Sequence, residues 1–209
     1  MSLPTRPPLE CLMEYLQSLF VPTGLVALAE IGDKTQLLAL LLAARFRKPW
    51  PIIWGILVAT VANHFAAGAL GKWVASFFSE ATLSWVLAAS FLAVAAWMLV
   101  PDQIDEDEAS HFKRYGPFLT TLIAFFLAEM GDKTQIATVM LAAQYEHFWL
   151  VVTGTTLGML IANVPVVLAA HFSADKLPMT LIHRISALCF LALAGYAAWH
   201  AATLSGWLG

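Results

Sequence analysis

Hydrophobic residues in this chain come in long blocks separated by short polar stretches, without the period-two alternation of a half-buried strand. Six blocks reach the length of about 20 mostly apolar residues that a membrane-spanning helix needs: 19–44, 50–71, 82–100, 117–143, 148–170 and 182–204. The pattern predicts an all-α fold, a bundle of six transmembrane helices. Pro22, Pro51 and Pro117 fall near the starts of their blocks, where a missing N–H costs least, and Pro165 is expected to kink the fifth span. Trp50, Trp73, Trp85, Trp149 and Trp207 fall near block ends, as an interfacial aromatic belt requires. The stretch before the first block has no compact apolar run ending in a small-residue cleavage site, so no removable signal peptide is read.

Composition agrees with the pattern: 60% of the 209 residues are apolar and 12% are charged, which excludes an ordinary soluble domain. The basic residues are scattered over short loops and make no patch that would hold nucleic acid. Cys11 and Cys189 lie far apart, so neither a thiolate metal site nor a disulfide framework is suggested. Arg45, Arg47, Lys48, Lys113, Arg114, Lys176 and Arg184 fall on one side of the predicted spans, and Arg6 and Lys72 on the other. The positive-inside rule then puts the first side in the cytoplasm and both termini outside it, in the inner or plasma membrane of a prokaryote. The run Asp102 to Glu108 becomes a cytoplasmic, solvated linker.

The chain contains an internal repeat. AEIGDKTQ, Ala29 to Gln36, recurs as AEMGDKTQ, Ala128 to Gln135, so Glu30 and Glu129 stand 99 residues apart. Each half carries three spans, and an odd number makes the second half enter the membrane from the opposite side, an inverted-topology repeat of the kind secondary transporters use. The expected organisation is a tail over 1–17, a first repeat over 18–100, an acidic linker over 101–116 and a second repeat over 117–209. Asn63 and Asn163 form a weaker echo at an offset of 100.

Glu30 lies near the middle of its block and Glu129 at the matching depth of the fourth. At about 2.5 to 3.5 kcal/mol for each ionised residue at a helix centre, Glu30, Asp33, Lys34, Glu129, Asp132 and Lys133 would together cost about 15 to 20 kcal/mol facing lipid. They are therefore expected to face inward or pair. On a continuous helix Glu30, Asp33 and Lys34 share one face, and a Glu–Lys pair at i, i+4 could simply staple two helices, although that leaves Asp33 and Asp132 unexplained. If each lysine offsets one carboxylate, the two motifs present about two net negative charges, a match for a divalent cation. The donors are oxygens: the four carboxylates and the amides of Gln36 and Gln135 as ligands, with the hydroxyls of Thr35 and Thr134 in support. Such a set suits Mn2+, Ca2+ or Mg2+ as transported substrate, with no separate cofactor. Crowded, desolvated carboxylates also take up protons when the metal leaves, so cation and protons compete for one site. Gly32 and Gly131 suit either of two purposes, unwinding the helix so that carbonyls join the site, or close helix packing. Asn63, His64 and Asn163 are candidates for supporting groups or for ordinary interhelical hydrogen bonds; His171 and His200 read as interfacial.

Twin E-x-G-D-K-T motifs in the first and fourth spans of a duplicated six-helix chain resemble the GDT family of manganese/calcium–proton exchangers, bacterial manganese exporters among them. Both copies fit the family pattern, and the resemblance extends over nearly the whole chain beyond the tail. It implies cation/proton antiport with no enzymatic step, with Glu30, Asp33, Glu129 and Asp132 at the cation site, and favours Mn2+ export. Two rivals come from other classes. Gly32-Asp33 and Gly131-Asp132 are similar to the G-D pairs of intramembrane aspartyl proteases, but a Glu precedes each and a Lys follows. An exporter of small organic cations or amino acids would need apolar pocket surface where these motifs offer charge.

Overall fold

The computed structural model describes residues 8–100, 115–169 and 179–207. Among them are eight helices and no strand: α1 (Pro8–Glu30), α2 (Lys34–Phe46), α3 (Pro49–Ala75), α4 (Glu80–Trp97), α5 (Pro117–Glu129), α6 (Lys133–Gln144), α7 (Phe148–Leu168) and α8 (Met179–Leu204). Four predicted spans fall on α3, α4, α7 and α8. The first and fourth do not form continuous helices, which corrects the six-helix expectation: each is cut into two, at Ile31–Asp33 and at Met130–Asp132.

The cut follows from the motif itself. Asp132 N–H donates to the Glu129 carbonyl at 3.1 Å, and Asp33 N–H to the Glu30 carbonyl at 3.1 Å, each closing a four-residue turn. Met130 has φ −64° and ψ 120°, and Gly131 has φ 75°. These are the angles of a type II turn, whose third position needs a positive φ and therefore glycine. Gly32, at φ 84°, holds the same place in the first copy. The glycines thus unwind the helices.

Helix boundaries elsewhere have ordinary causes. Pro49 and Pro117 stand at the first turns of α3 and α5, and Ser79 caps α4 by accepting from Thr82 N–H at 3.3 Å. Pro22, expected near a helix start, lies well inside α1, and Pro165 lies in the last turn of α7.

Five helices, α1, α3, α4, α7 and α8, are long and apolar enough to cross a membrane, whereas α5 is apolar but shorter. Their outer faces carry Trp54, Phe65, Leu92, Ile161 and Leu188, and Trp50, Trp73, Trp149 and Trp207 stand exposed at or near helix ends. An apolar outside of this extent suits lipid.

Helix α3 packs on α5, α6 and α7, while α7 packs on α1 and α2. Glycines set the closest approaches. A Cβ on Gly55 would lie 2.9 Å from the Phe118 carbonyl oxygen, and one on Gly154 would lie 2.5 Å from that of Leu19. Both glycines and both partners are 99 residues apart, the offset of the charged motifs. Helices α4 and α8 form a separate tight pair that meets the others mainly through α6 and α1. Between α4 and α8 the buried rings of Phe91 and Phe190, again 99 residues apart, lie 6.3 Å from centroid to centroid.

Candidate functional site

The two turns meet in the interior. Glu30 is the last residue of α1 and Glu129 the last of α5, while Asp33 and Asp132 occupy the N-caps of α2 and α6. All four carboxylates are buried, at 0–3% exposure. Glu30, Asp33 and Asp132 place an oxygen each within 4.8 Å of one another, and Glu129 is close enough for its charge to act on Glu30. The expectation that Glu30, Asp33 and Lys34 share one helical face is overturned, because the helix stops at Glu30. The break brings together side chains that a continuous helix would have stacked along one wall.

Neither aspartate caps its own helix with its side chain. Each carboxylate instead meets the lysine of the other motif: Lys34 Nζ lies 3.3 Å from Asp132 Oδ1, and Lys133 Nζ lies 3.6 Å from Asp33 Oδ1. The i, i+4 Glu–Lys staple is thereby corrected to a crossed Asp–Lys exchange between motifs. The glutamates take neutral donors. Thr35 Oγ1 donates to Glu30 Oε2 at 2.5 Å, and Thr134 Oγ1 makes a short bond to Glu129 Oε1 with Asp132 Oδ2 at 3.4 Å. The remaining oxygens, Glu30 Oε1 and Glu129 Oε2, are buried and accept no hydrogen bond among the described residues. Two acceptors left bare in a low-dielectric interior are costly unless a cation or proton satisfies them.

Gln36 and Gln135 act on the turns. Gln36 Oε1 accepts from Gly32 N–H at 2.8 Å, and Gln135 Oε1 accepts from Gly131 N–H at 2.7 Å. Each glutamine so satisfies an amide that the unwound turn exposes, while Gln36 Nε2 donates to the Ala162 carbonyl at 3.0 Å. Carbonyls freed by the breaks are also capped. Asn63 Nδ2 donates to Phe126 O at 3.1 Å on α5, and Ser186 Oγ donates to Leu28 O at 2.8 Å on α1. Ser186 escaped the sequence reading, since nothing local distinguishes a capping serine that arrives from a distant helix.

Asn63 and Asn163 do not play matched parts: Asn163 Nδ2 bonds back to Met159 O of its own helix at 3.0 Å. In the register of 99 set by the glycines, the residue matching Asn163 is His64. Both are fully buried, and both ring nitrogens of His64 and Oδ1 of Asn163 have no hydrogen-bond partner among the described residues. His200 lies with Ser84 and Glu80 on the wall of a cavity of about 630 Å³ between α1, α4, α6 and α8, and its Nδ1 is 3.2 Å from Ser84 Oγ. Glu14, Gln144 and Glu146 line the same cavity, above a floor of Val21, Leu87 and Leu193. His171, Lys113, Arg114, Lys176 and the acidic run lie outside the described residues.

A broken-helix pair with inward carboxylates and lysines is the interior of an ion transporter rather than a soluble binding pocket. The family described as "Divalent cation/proton antiporter GDT1" matches the chain twice, over residues 18–106 and 117–205, and the chain belongs to it. It is a multi-pass membrane transporter, not an enzyme, which removes the protease reading. Similar proteins include one of Vibrio cholerae named "Putative manganese exporter", 54% identical over 88% of this chain and 92% of its own length. A GDT1-like protein of Synechocystis is 27% identical over 84% of the chain and 93% of its own length. A further relative, GDT1-like protein 4 of Oryza sativa subsp. indica, is 28% identical over 82% of the chain and 69% of its own. No solved structure matches the chain.

Proposed function

We propose that the protein exports Mn2+ from the cytoplasm in exchange for protons, with Ca2+ as an alternative substrate, through Glu30, Asp33, Glu129 and Asp132. The observation that carries this reading is the pair of buried glutamate oxygens without a donor, set among two aspartates already charge-balanced by lysines. The two lysines offset two of four carboxylates, so the ionised site holds two net negative charges. A divalent ion neutralises it, and so do two protons. Gln36 and Gln135 hold the turns, and Thr35 and Thr134 orient the glutamates; each glutamine oxygen accepts from a glycine N–H and keeps a second lone pair for a cation.

The family match in two copies, the matched packing of Gly55 and Gly154, and the meeting of Phe91 with Phe190 support two inverted three-helix repeats, 18–100 and 117–209, after a tail over 1–17 and joined by a linker over 101–116. Each discontinuous first helix of a repeat then counts as one span of six, with both termini on the non-cytoplasmic side. In that orientation the 630 Å³ cavity opens away from the cytoplasm and is the outlet for metal and inlet for protons.

The test is reconstitution into liposomes carrying an internal pH dye, with Mn2+ and then Ca2+ added outside. Metal uptake coupled to proton exit, lost in Glu30→Gln, is expected. Because protons occupy the oxygens that bind metal, acidifying the metal side should raise the apparent KM for Mn2+. Metal flux without proton movement would overturn antiport, and a KM independent of pH would overturn the shared site.

A further inference from the structure

The crossed lysines are more than ballast. Two lysines beside their own aspartates could have paired locally, yet Lys34 reaches Asp132 at 3.3 Å and Lys133 reaches Asp33 at 3.6 Å. The same two aspartates stand with Glu30 in the cluster whose oxygens lie within 4.8 Å of one another. The ammonium groups therefore sit on two of the carboxylates that a metal would need, and each links one motif to the other. Their environments differ: the Lys133 side chain is 3% exposed and that of Lys34 is 30% exposed.

We propose, building on the function above, that Lys34 and Lys133 are tethered counter-cations: each holds the opposite motif's aspartate in the metal-free site and is displaced when a divalent ion binds. An ammonium is a compact point charge on a flexible stem, suited to leaving and returning. The displacement weakens metal binding, which serves an exporter that must release its ion on each cycle. Lys34 swings first, because its side chain is the less enclosed of the two. Lys133 keeps its partner longer.

These are positioning residues, and their removal has a signature that structural damage does not share. Purified wild type, Lys34→Met, Lys34→Arg and Lys133→Met are compared for Mn2+ binding by calorimetry at pH 8, with Tb3+ as a trivalent competitor, and for exchange in liposomes. Losing one positive charge a few ångströms from the metal should tighten Mn2+ binding by about tenfold or more, and Tb3+ binding by a larger factor. KM and kcat for exchange should fall together as release slows, and Lys34→Arg, which keeps the positive charge, should not show the tighter Mn2+ binding of Lys34→Met. Folded Lys34→Met protein that binds Mn2+ no more tightly than wild type overturns the proposal. If Lys133→Met does not fold, the more exposed Lys34 decides the matter alone. Wild type that binds no Mn2+, or Asp132→Asn that binds it as well as wild type, overturns the site reading and the lysine proposal with it; intact binding at the site with no gain in Lys34→Met removes the lysine proposal only.

Discussion

Asp33 and Asp132 occupy equivalent places in the two motifs, but their substitutions leave unequal residues behind. Asp33→Asn takes a carboxylate from Lys133, whose side chain is 3% exposed, whereas Asp132→Asn takes one from Lys34, whose side chain is 30% exposed. Breaking a buried pair by removing one partner costs about 3–5 kcal/mol. Both variants should lose exchange, and Asp33→Asn should in addition melt well below Asp132→Asn when the purified proteins are heated in the same detergent. Equal melting temperatures would mean that the two lysines are equally solvated. The threonines differ from the aspartates in kind, since Thr35→Val leaves Glu30 ionisable but removes the hydroxyl that donates to its Oε2.

The helices show where sequence reasoning reached its limit. The apolar blocks located α3, α4, α7 and α8, because block length is set by the thickness of a bilayer, whereas α1 begins at Pro8, ahead of the first block and within the expected tail. The same argument is blind to a break at mid-depth: Ala29 to Gln36 is polar enough to be a site whether wound or unwound, and glycine serves both states. What decides is the positive φ of Gly32 and Gly131, a backbone property that hydropathy does not contain. The motif revealed the four carboxylates and the charge balance; the crossing of the lysines depends on where the second turn lies in space. Gly55 and Gly154 were legible in principle, as they share the motif offset, but only packing shows that they touch Phe118 and Leu19. Their substitution by alanine tests this. A Cβ on Gly154 meets the Leu19 carbonyl, and one on Gly55 meets Thr121 Cβ at 2.7 Å, so α7 must part from α1, or α3 from α5. Gly131→Ala meets nothing and carries only the cost of a positive φ, about 1–2 kcal/mol. Thermal midpoints should therefore fall further for Gly55→Ala and Gly154→Ala than for Gly131→Ala, with Gly195→Ala, which has open space, near wild type.

Across the whole molecule, the α4–α8 pair stands apart from the remaining six helices and meets them mainly through α1 and α6. The cavity enters between these same four helices and stops at Val21, Leu87 and Leu193. Beyond that floor, Leu25, Phe91, Phe190, Met140 and Leu141 form one buried apolar cluster with Ala29, next to Glu30. A hydrated ion cannot cross such a layer, so on the proposed route through this cavity transport requires the α4–α8 pair to move against α1 and α6. That motion is visible to a thiol probe once Cys11 and Cys189 are replaced. A membrane-impermeant reagent should label Ser84→Cys, on the cavity wall, with or without metal. Leu25→Cys should stay protected in the state described here and become reactive when a proton gradient drives turnover. Protection of Leu25→Cys throughout turnover, in protein that still exchanges, would place the ion's route elsewhere and leave the cavity a surface recess.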